Sequence, residues 1–152
     1  MAPDITLNDL YGNEIALSDY KGKIVYLNFW GTWCPACQSE LGSLQELYTT
    51  YEESDEVAVL TLINGAYRES GIENAKEFME ANELTFPVLY DETGEWFYKY
   101  GIYSYPTTFM INQDGSVFGY LEGAINYEAM EEIIEMTRLG TLEPIEGGES
   151  NQ

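Results

Sequence analysis

Trp30-Gly31-Thr32-Trp33-Cys34-Pro35-Ala36-Cys37-Gln38-Ser39-Glu40 is the stretch that decides how this chain is read. It holds the only two cysteines among 152 residues, in C-x-x-C spacing. The unbroken apolar run before it, Ile24 to Trp30, predicts a buried strand. After it, Leu41, Leu44, Leu47, Tyr48 and Tyr51 recur at helical spacing and predict a helix to about Tyr51. Two cysteines where a strand gives way to a helix point to dithiol chemistry more than to packing. The first N–H groups of a helix have no intrahelical acceptor, and the macrodipole places partial positive charge there. A thiol at that point ionises more readily, and the thiolate is the reactive form. Cys34 at the helix entrance can then attack a disulfide of another chain, and Cys37, one turn deeper, can resolve the mixed disulfide. Pro35 suits the first helical turn, although it removes one N–H that could have supported the thiolate.

Composition bounds the alternatives. A chain of 152 residues reads as one domain, and 45% hydrophobic residues make it globular rather than disordered. No apolar run approaches the roughly 20 residues of a membrane span, and there is no signal-peptide pattern. Asp and Glu number 27 against six Lys and Arg, a net charge of −21, which argues against nucleic acid and anionic membrane surfaces as partners. The simplest reading of that charge is a solvated surface kept soluble by repulsion; adaptation to high salt and steering of a cationic partner are the alternatives. With no histidine, a Cys–His nucleophile pair and histidine metal ligands are both excluded. Two cysteines also fall short of the about four N or S ligands of a zinc or iron–sulfur site, so no metal is expected within one chain. No G-x-G-x-x-G is present to bind a nicotinamide or flavin, so the expected redox group is the Cys34–Cys37 pair itself.

In chain order, Asp4 to Leu17 predicts a hairpin turning at Gly12-Asn13. Val57 to Ile63 predicts a second buried strand, so strand 24–30, its helix and this strand form a right-handed βαβ unit with parallel strands. The connection that follows carries its own helix, with Ile72, Ala75, Phe78 and Met79 as its apolar stripe. Phe86 to Tyr90 predicts a short strand, with Pro87 restricting it to its start or to a sheet edge. Glu95 to Tyr100 predicts a short aromatic helix, and Pro106 to Ile111 a strand. Asn112-Gln113-Asp114-Gly115 then turns into a strand over Val117 to Leu121. Asn126 is placed to cap a last helix carrying Met130, Ile133 and Ile134. Residues 141–152, rich in Pro, Gly, Glu and Ser, read as a flexible tail.

With these elements in place, the chain resembles the thioredoxin superfamily, through Trp33-Cys34-x-x-Cys37 after a strand and Tyr105-Pro106-Thr107-Thr108-Phe109 before a strand and hairpin. Three further features resemble its TlpA/ResA-like branch of extracytoplasmic thiol–disulfide oxidoreductases: Ala2-Pro3-Asp4-Ile5-Thr6-Leu7, the link Leu17-Ser18-Asp19-Tyr20-Lys21-Gly22-Lys23, and Leu27-Asn28-Phe29-Trp30-Gly31-Thr32-Trp33-Cys34. The resemblance covers residues 2–138. It implies an α/β thioredoxin-like fold: a central mixed sheet flanked by helices over 1–140, an N-terminal hairpin, and a helix-bearing insert over about 64–85.

The resemblance also implies roles. Cys34 matches the exposed nucleophile and Cys37 the resolving thiol. Pro106 falls where the superfamily has a cis-proline facing the disulfide, which would turn the Tyr105 backbone toward an extended substrate chain. Trp33, Pro35, Tyr105 and Pro106 are therefore the expected substrate-binding rim, although Trp33 can equally pack beside the dithiol. Glu40 matches a carboxylate associated with proton handling at the cysteines; its plainer reading is a helix-surface carboxylate. Glu69 falls one residue from a second such carboxylate, in the insert. Asn28 stands where many thioredoxins have a buried aspartate, and its plainer reading is a polar residue hydrogen-bonded within the strand. The aromatic run Trp96, Phe97, Tyr98, Tyr100, Tyr103 and Tyr105 reads as packing or as a substrate platform.

The activity implied is a reductase-type thiol–disulfide exchange with extracytoplasmic protein substrates, including a role in cytochrome c maturation. The expected partners are protein thiols and disulfides, with a membrane or extracytoplasmic thiol reductase as electron donor to a monomer. The location implied is secreted, periplasmic, or anchored to a membrane through a segment outside this sequence. Three rivals stand beside it. One is an oxidase that delivers disulfides to exported proteins. Another is a peroxidase, whose P-x-x-x-T-x-x-C signature would need Pro and Thr where Leu27 and Gly31 stand. The third, a thioredoxin-fold metal chaperone, would resemble proteins that use a histidine this chain lacks.

Overall fold

A computed structural model describes residues 1–142. The expected tail at 141–152 lies outside the described residues except for 141 and 142. Strand β3, Ile24–Trp30, is buried along all seven residues and forms the spine of the molecule. Alternation of side chains across the pleat sends Ile24, Tyr26, Asn28 and Trp30 to one face and Val25, Leu27 and Phe29 to the other. A strand that is apolar on both faces must be covered on both, which is why its sequence reads as a continuous run.

Around it the chain builds a five-stranded mixed sheet in the order β5-β4-β3-β6-β7. Strands β4, Val57–Asn64, and β5, Val88–Asp91, run parallel to β3; β6, Thr107–Ile111, is antiparallel to it, and β7, Val117–Glu122, is antiparallel to β6. The separate hairpin pairs β1, Thr6–Asn8, with β2, Glu14–Ala16. Its Asp9 bridges Leu89 of β5, so the hairpin covers a sheet edge. The expected fifth strand begins two residues late, at Val88. Pro87 cannot donate to the ladder, and its carbonyl instead accepts from the N–H (3.2 Å) and the hydroxyl (2.7 Å) of Thr61.

Helices α1, Pro35–Tyr51, α2, Ile72–Ala81, and α4, Tyr127–Leu139, pack on the Tyr26 face; α3, Glu95–Lys99, and the hairpin side chains Ile5 and Leu17 pack on the Phe29 face. The α1 stripe Leu41, Leu44 and Leu47 is buried as its spacing predicts. Ile72 departs from its expected place on the α2 stripe and is 40% exposed, while Ala75 and Met79 are buried. Helical side chains lean toward the N-terminus, so the side chain of the first residue reaches past the sheet it should cover. Asn126 caps α4 as expected, its side chain accepting from the Ala129 N–H at 2.9 Å. A cap not foreseen closes α3: buried Asp91 accepts from the N–H groups of Trp96 (2.9 Å) and Phe97 (3.0 Å).

The aromatic run divides between the two readings. Phe97 and Tyr100 are buried against Phe29, with ring centroids 5.1 and 5.2 Å away, whereas Tyr98 and Tyr103 are more than four-fifths exposed. Tyr105 does both, packing against the core and reaching the cysteines.

Candidate active site

The end of β3 feeds the turn Gly31–Trp33 directly into α1, with Cys34 as the residue that caps the helix. Its backbone is extended, and its sulfur accepts the Cys37 N–H at 3.1 Å, as a serine oxygen does at an ordinary cap. Pro35 occupies the first helical position, so the donor it lacks is replaced by the amide one turn on. Both cysteines are free thiols. Cys34 is 4% exposed, less than the open nucleophile the resemblance implies, because Trp33 and Tyr105 lie against it; Cys37 is fully buried. Burial, then the hydrogen bond to Cys34, and further the charges of Cys34 and Glu40, push the Cys37 thiol far above its usual range.

Opposite the helix mouth, the Tyr105–Pro106 peptide is cis, and the Cys34 Sγ–H donates to the Tyr105 carbonyl at 3.8 Å. Pro106 is buried, while Pro35 and Ala36 face solvent. Tyr105 stacks on Phe97 (5.7 Å) and meets Trp33 at 5.0 Å.

Behind the cysteines, Glu40 is 2% exposed, which removes the helix-surface reading. Its Oε1 accepts the Ile125 N–H (3.1 Å) and its Oε2 the Asn28 amide (3.2 Å), which also donates to Thr108 (3.0 Å). Asn28 and Thr108 are paired across β3 and β6, so both face α1. Burial pushes the Glu40 carboxyl up to about 7, against the opposing pull of these two donors. Asn28 Oδ1 is buried without a hydrogen-bond partner.

Glu69 does not join this cluster. It reaches over from the loop before α2 and grips Thr32, accepting from its N–H (2.9 Å) and its hydroxyl (2.7 Å). Burial also raises this carboxyl. Two neighbours escaped the sequence reading. Tyr67 meets Trp33 at 5.4 Å and Tyr105 at 6.1 Å, and the Arg68 guanidinium lies 4.8 Å from the Trp33 ring centre. Only the folded path of the loop brings them there. The peroxidase rival meets a geometric obstacle at Gly31: a β-carbon there would sit 2.6 Å from Trp33 Nε1, so threonine would require the Trp33 ring to move.

The chain belongs to the AhpC/TSA family, whose pattern it matches over residues 1–118. Over 134 residues it is 40% identical to the thiol-disulfide oxidoreductase ResA of Bacillus thuringiensis subsp. konkukian, across 88% of this chain and 75% of that one. Its fold is similar to StoA from Bacillus subtilis, with a TM-score of 0.76, 30% identity, and 87% and 96% of the two chains covered. It is also similar to the exposed lipoprotein thioredoxin Etrx1 of Streptococcus pneumoniae, with a TM-score of 0.74, 32% identity, and 88% and 98% covered. The chain is accordingly a thiol–disulfide oxidoreductase of thioredoxin-like fold, with a cysteine pair as its redox group.

Proposed function

We propose that this oxidoreductase works as a reductase of disulfides in extracytoplasmic polypeptides. Cys34, as thiolate, attacks one sulfur of a substrate disulfide; a mixed disulfide forms and the other substrate sulfur leaves as thiolate. Cys37 then gives up its proton, to the Glu40 carboxylate or to water, and attacks Cys34 Sγ. The Cys34–Cys37 disulfide forms, the second substrate sulfur is released, and two electrons have passed to the substrate. A separate thiol reductase outside the cytoplasm returns the pair to the dithiol. The edge formed by Tyr105 and Pro106, with Trp33 and Pro35 beside Cys34, receives the substrate as an extended strand.

The observation that carries the direction is the full burial of Cys37, with the Glu40 carboxyl behind it. A strong oxidant is one whose reduced thiolate form is stabilised. Here burial above all, then the hydrogen bond to Cys34, with Glu40 a smaller contributor, opposes ionisation of Cys37, which favours the disulfide and makes the dithiol a better reductant. Likeness to a protein named as an exposed lipoprotein supports the extracytoplasmic setting, and exported thiol proteins, including apocytochromes, are the substrates that the TlpA/ResA-like resemblance implies. Equilibration with glutathione and dithiothreitol redox buffers tests the direction. The expected midpoint lies below about −200 mV, on the thioredoxin side of the scale. A midpoint near about −120 mV would overturn it and assign the protein to the disulfide-forming oxidases.

A further inference from the structure

Six basic residues serve this strongly acidic chain, and they are not equivalent. Lys76 pairs with Glu73, Lys99 with Glu95, and Arg138 with Glu56 and Glu135. Lys21 and Lys23 precede β3, at the end of the strand remote from Cys34. Arg68 alone lies at the mouth of α1, and among the described residues no carboxylate forms an ion pair with it. Its neighbour Glu69 is committed to Thr32 through both oxygens. Arg68 itself is held in a left-handed backbone conformation, φ +64°, which non-glycine residues seldom adopt. That conformation lays the guanidinium over Trp33, with the Tyr67 ring centre 6.0 Å away. Stacking occupies the flat face of a guanidinium and leaves its N–H edges for a carboxylate.

We propose that Arg68 is a specificity-determining residue that favours substrates carrying an acidic residue two positions from the reacting cysteine. The inference rests on the exchange reading above. In a strand laid along the Tyr105–Pro106 backbone with its cysteine against Cys34, the adjacent side chains point away. The side chain two positions along shares the cysteine's face and passes over Trp33, where Arg68 waits. The rest of the surface repels an acidic partner, so the selected polypeptide is neutral or basic overall and acidic at this one point. Long-range charge sets which chains approach; Arg68 reads the residue two positions from the reacting cysteine.

The test uses short peptides identical except for Glu, Gln or Lys two positions from one cysteine, which is carried as a 2-pyridyl disulfide so that the leaving group is neutral. Attack by Cys34 on the peptide sulfur releases 2-thiopyridone, which is followed by absorbance, and Cys37 then frees the peptide thiol. With the reduced full chain at low salt, the Glu peptide should react about three- to fivefold faster than the Gln peptide, the scale of a partly exposed ion pair. R68Q should abolish that ratio, R68E should favour the Lys peptide, and 0.5 M salt should shrink the wild-type ratio. Equal wild-type rates for Glu and Gln, or a ratio that survives in R68Q, would overturn the inference and leave the exchange reading standing. Failure of every peptide to react would overturn both. Thermal unfolding of R68Q alongside the wild type keeps loss of fold separate from loss of selection.

Discussion

Replacing Glu40 by glutamine should make the protein progressively more stable than the wild type as pH rises. In the folded chain the carboxyl keeps its proton up to about 7, whereas the unfolded carboxyl releases it near 4.5. Between those values the native state binds the extra proton, so wild-type stability falls as pH rises through this window, and the loss is complete above it. The separation corresponds to about 3 kcal/mol, undiluted by solvent because Glu40 is buried. Glutamine does not titrate, and the site can accept it. Its oxygen can keep the Ile125 N–H, and a flip of the Asn28 amide brings the unpartnered Oδ1 round to meet the new NH2. Urea unfolding of both reduced proteins at pH 5, 6, 7 and 8 reads the difference, in which the other acidic residues cancel. E40Q should gain about 2–3 kcal/mol on the wild type across that range, or about 1–2 M in relative urea midpoint. A difference that stays flat with pH, whatever its offset, would refute the account of Glu40 as a buried carboxyl held in its acid form.

Brief iodoacetamide treatment of the reduced protein at pH 8 should add a single group, at Cys34, with Cys37 slower by about a hundredfold or more because it is buried and its thiol stays protonated. Ready alkylation of Cys37 in C34S, read by mass, would contradict this. D91A removes the acceptor for two amides at the start of α3 and should cost about 1–2 kcal/mol in urea unfolding; a loss under about 0.5 kcal/mol would show the cap to be idle.

The order of elements was legible because it rests on local signals. Continuous apolar runs announce β3 and β4, which are covered on both faces, and Leu41, Leu44 and Leu47 announce α1. The helix-mouth position of Cys34 follows from those two readings alone. What stayed hidden depends on residues distant in the chain. Nothing local says that Glu40 will meet the Ile125 amide 85 residues on, or that Glu69 will hold Thr32 across 37. Tyr67 and Arg68 carry no periodicity, so their place over Trp33 emerges only once the loop before α2 is folded. Asp91 escaped for a simpler reason: it ends a strand, and its capping of the next helix skips over the intervening turn.

The sulfur of Cys34 is at once the reactive group and the anchor of the third amide of α1. A thiolate accepts that N–H strongly, whereas a sulfur bound to another sulfur accepts it weakly. Each catalytic cycle therefore tightens and slackens the opening turn of the longest helix. The Cys37 amide becomes a built-in gauge of oxidation state, readable as the pace at which its hydrogen trades with deuterium.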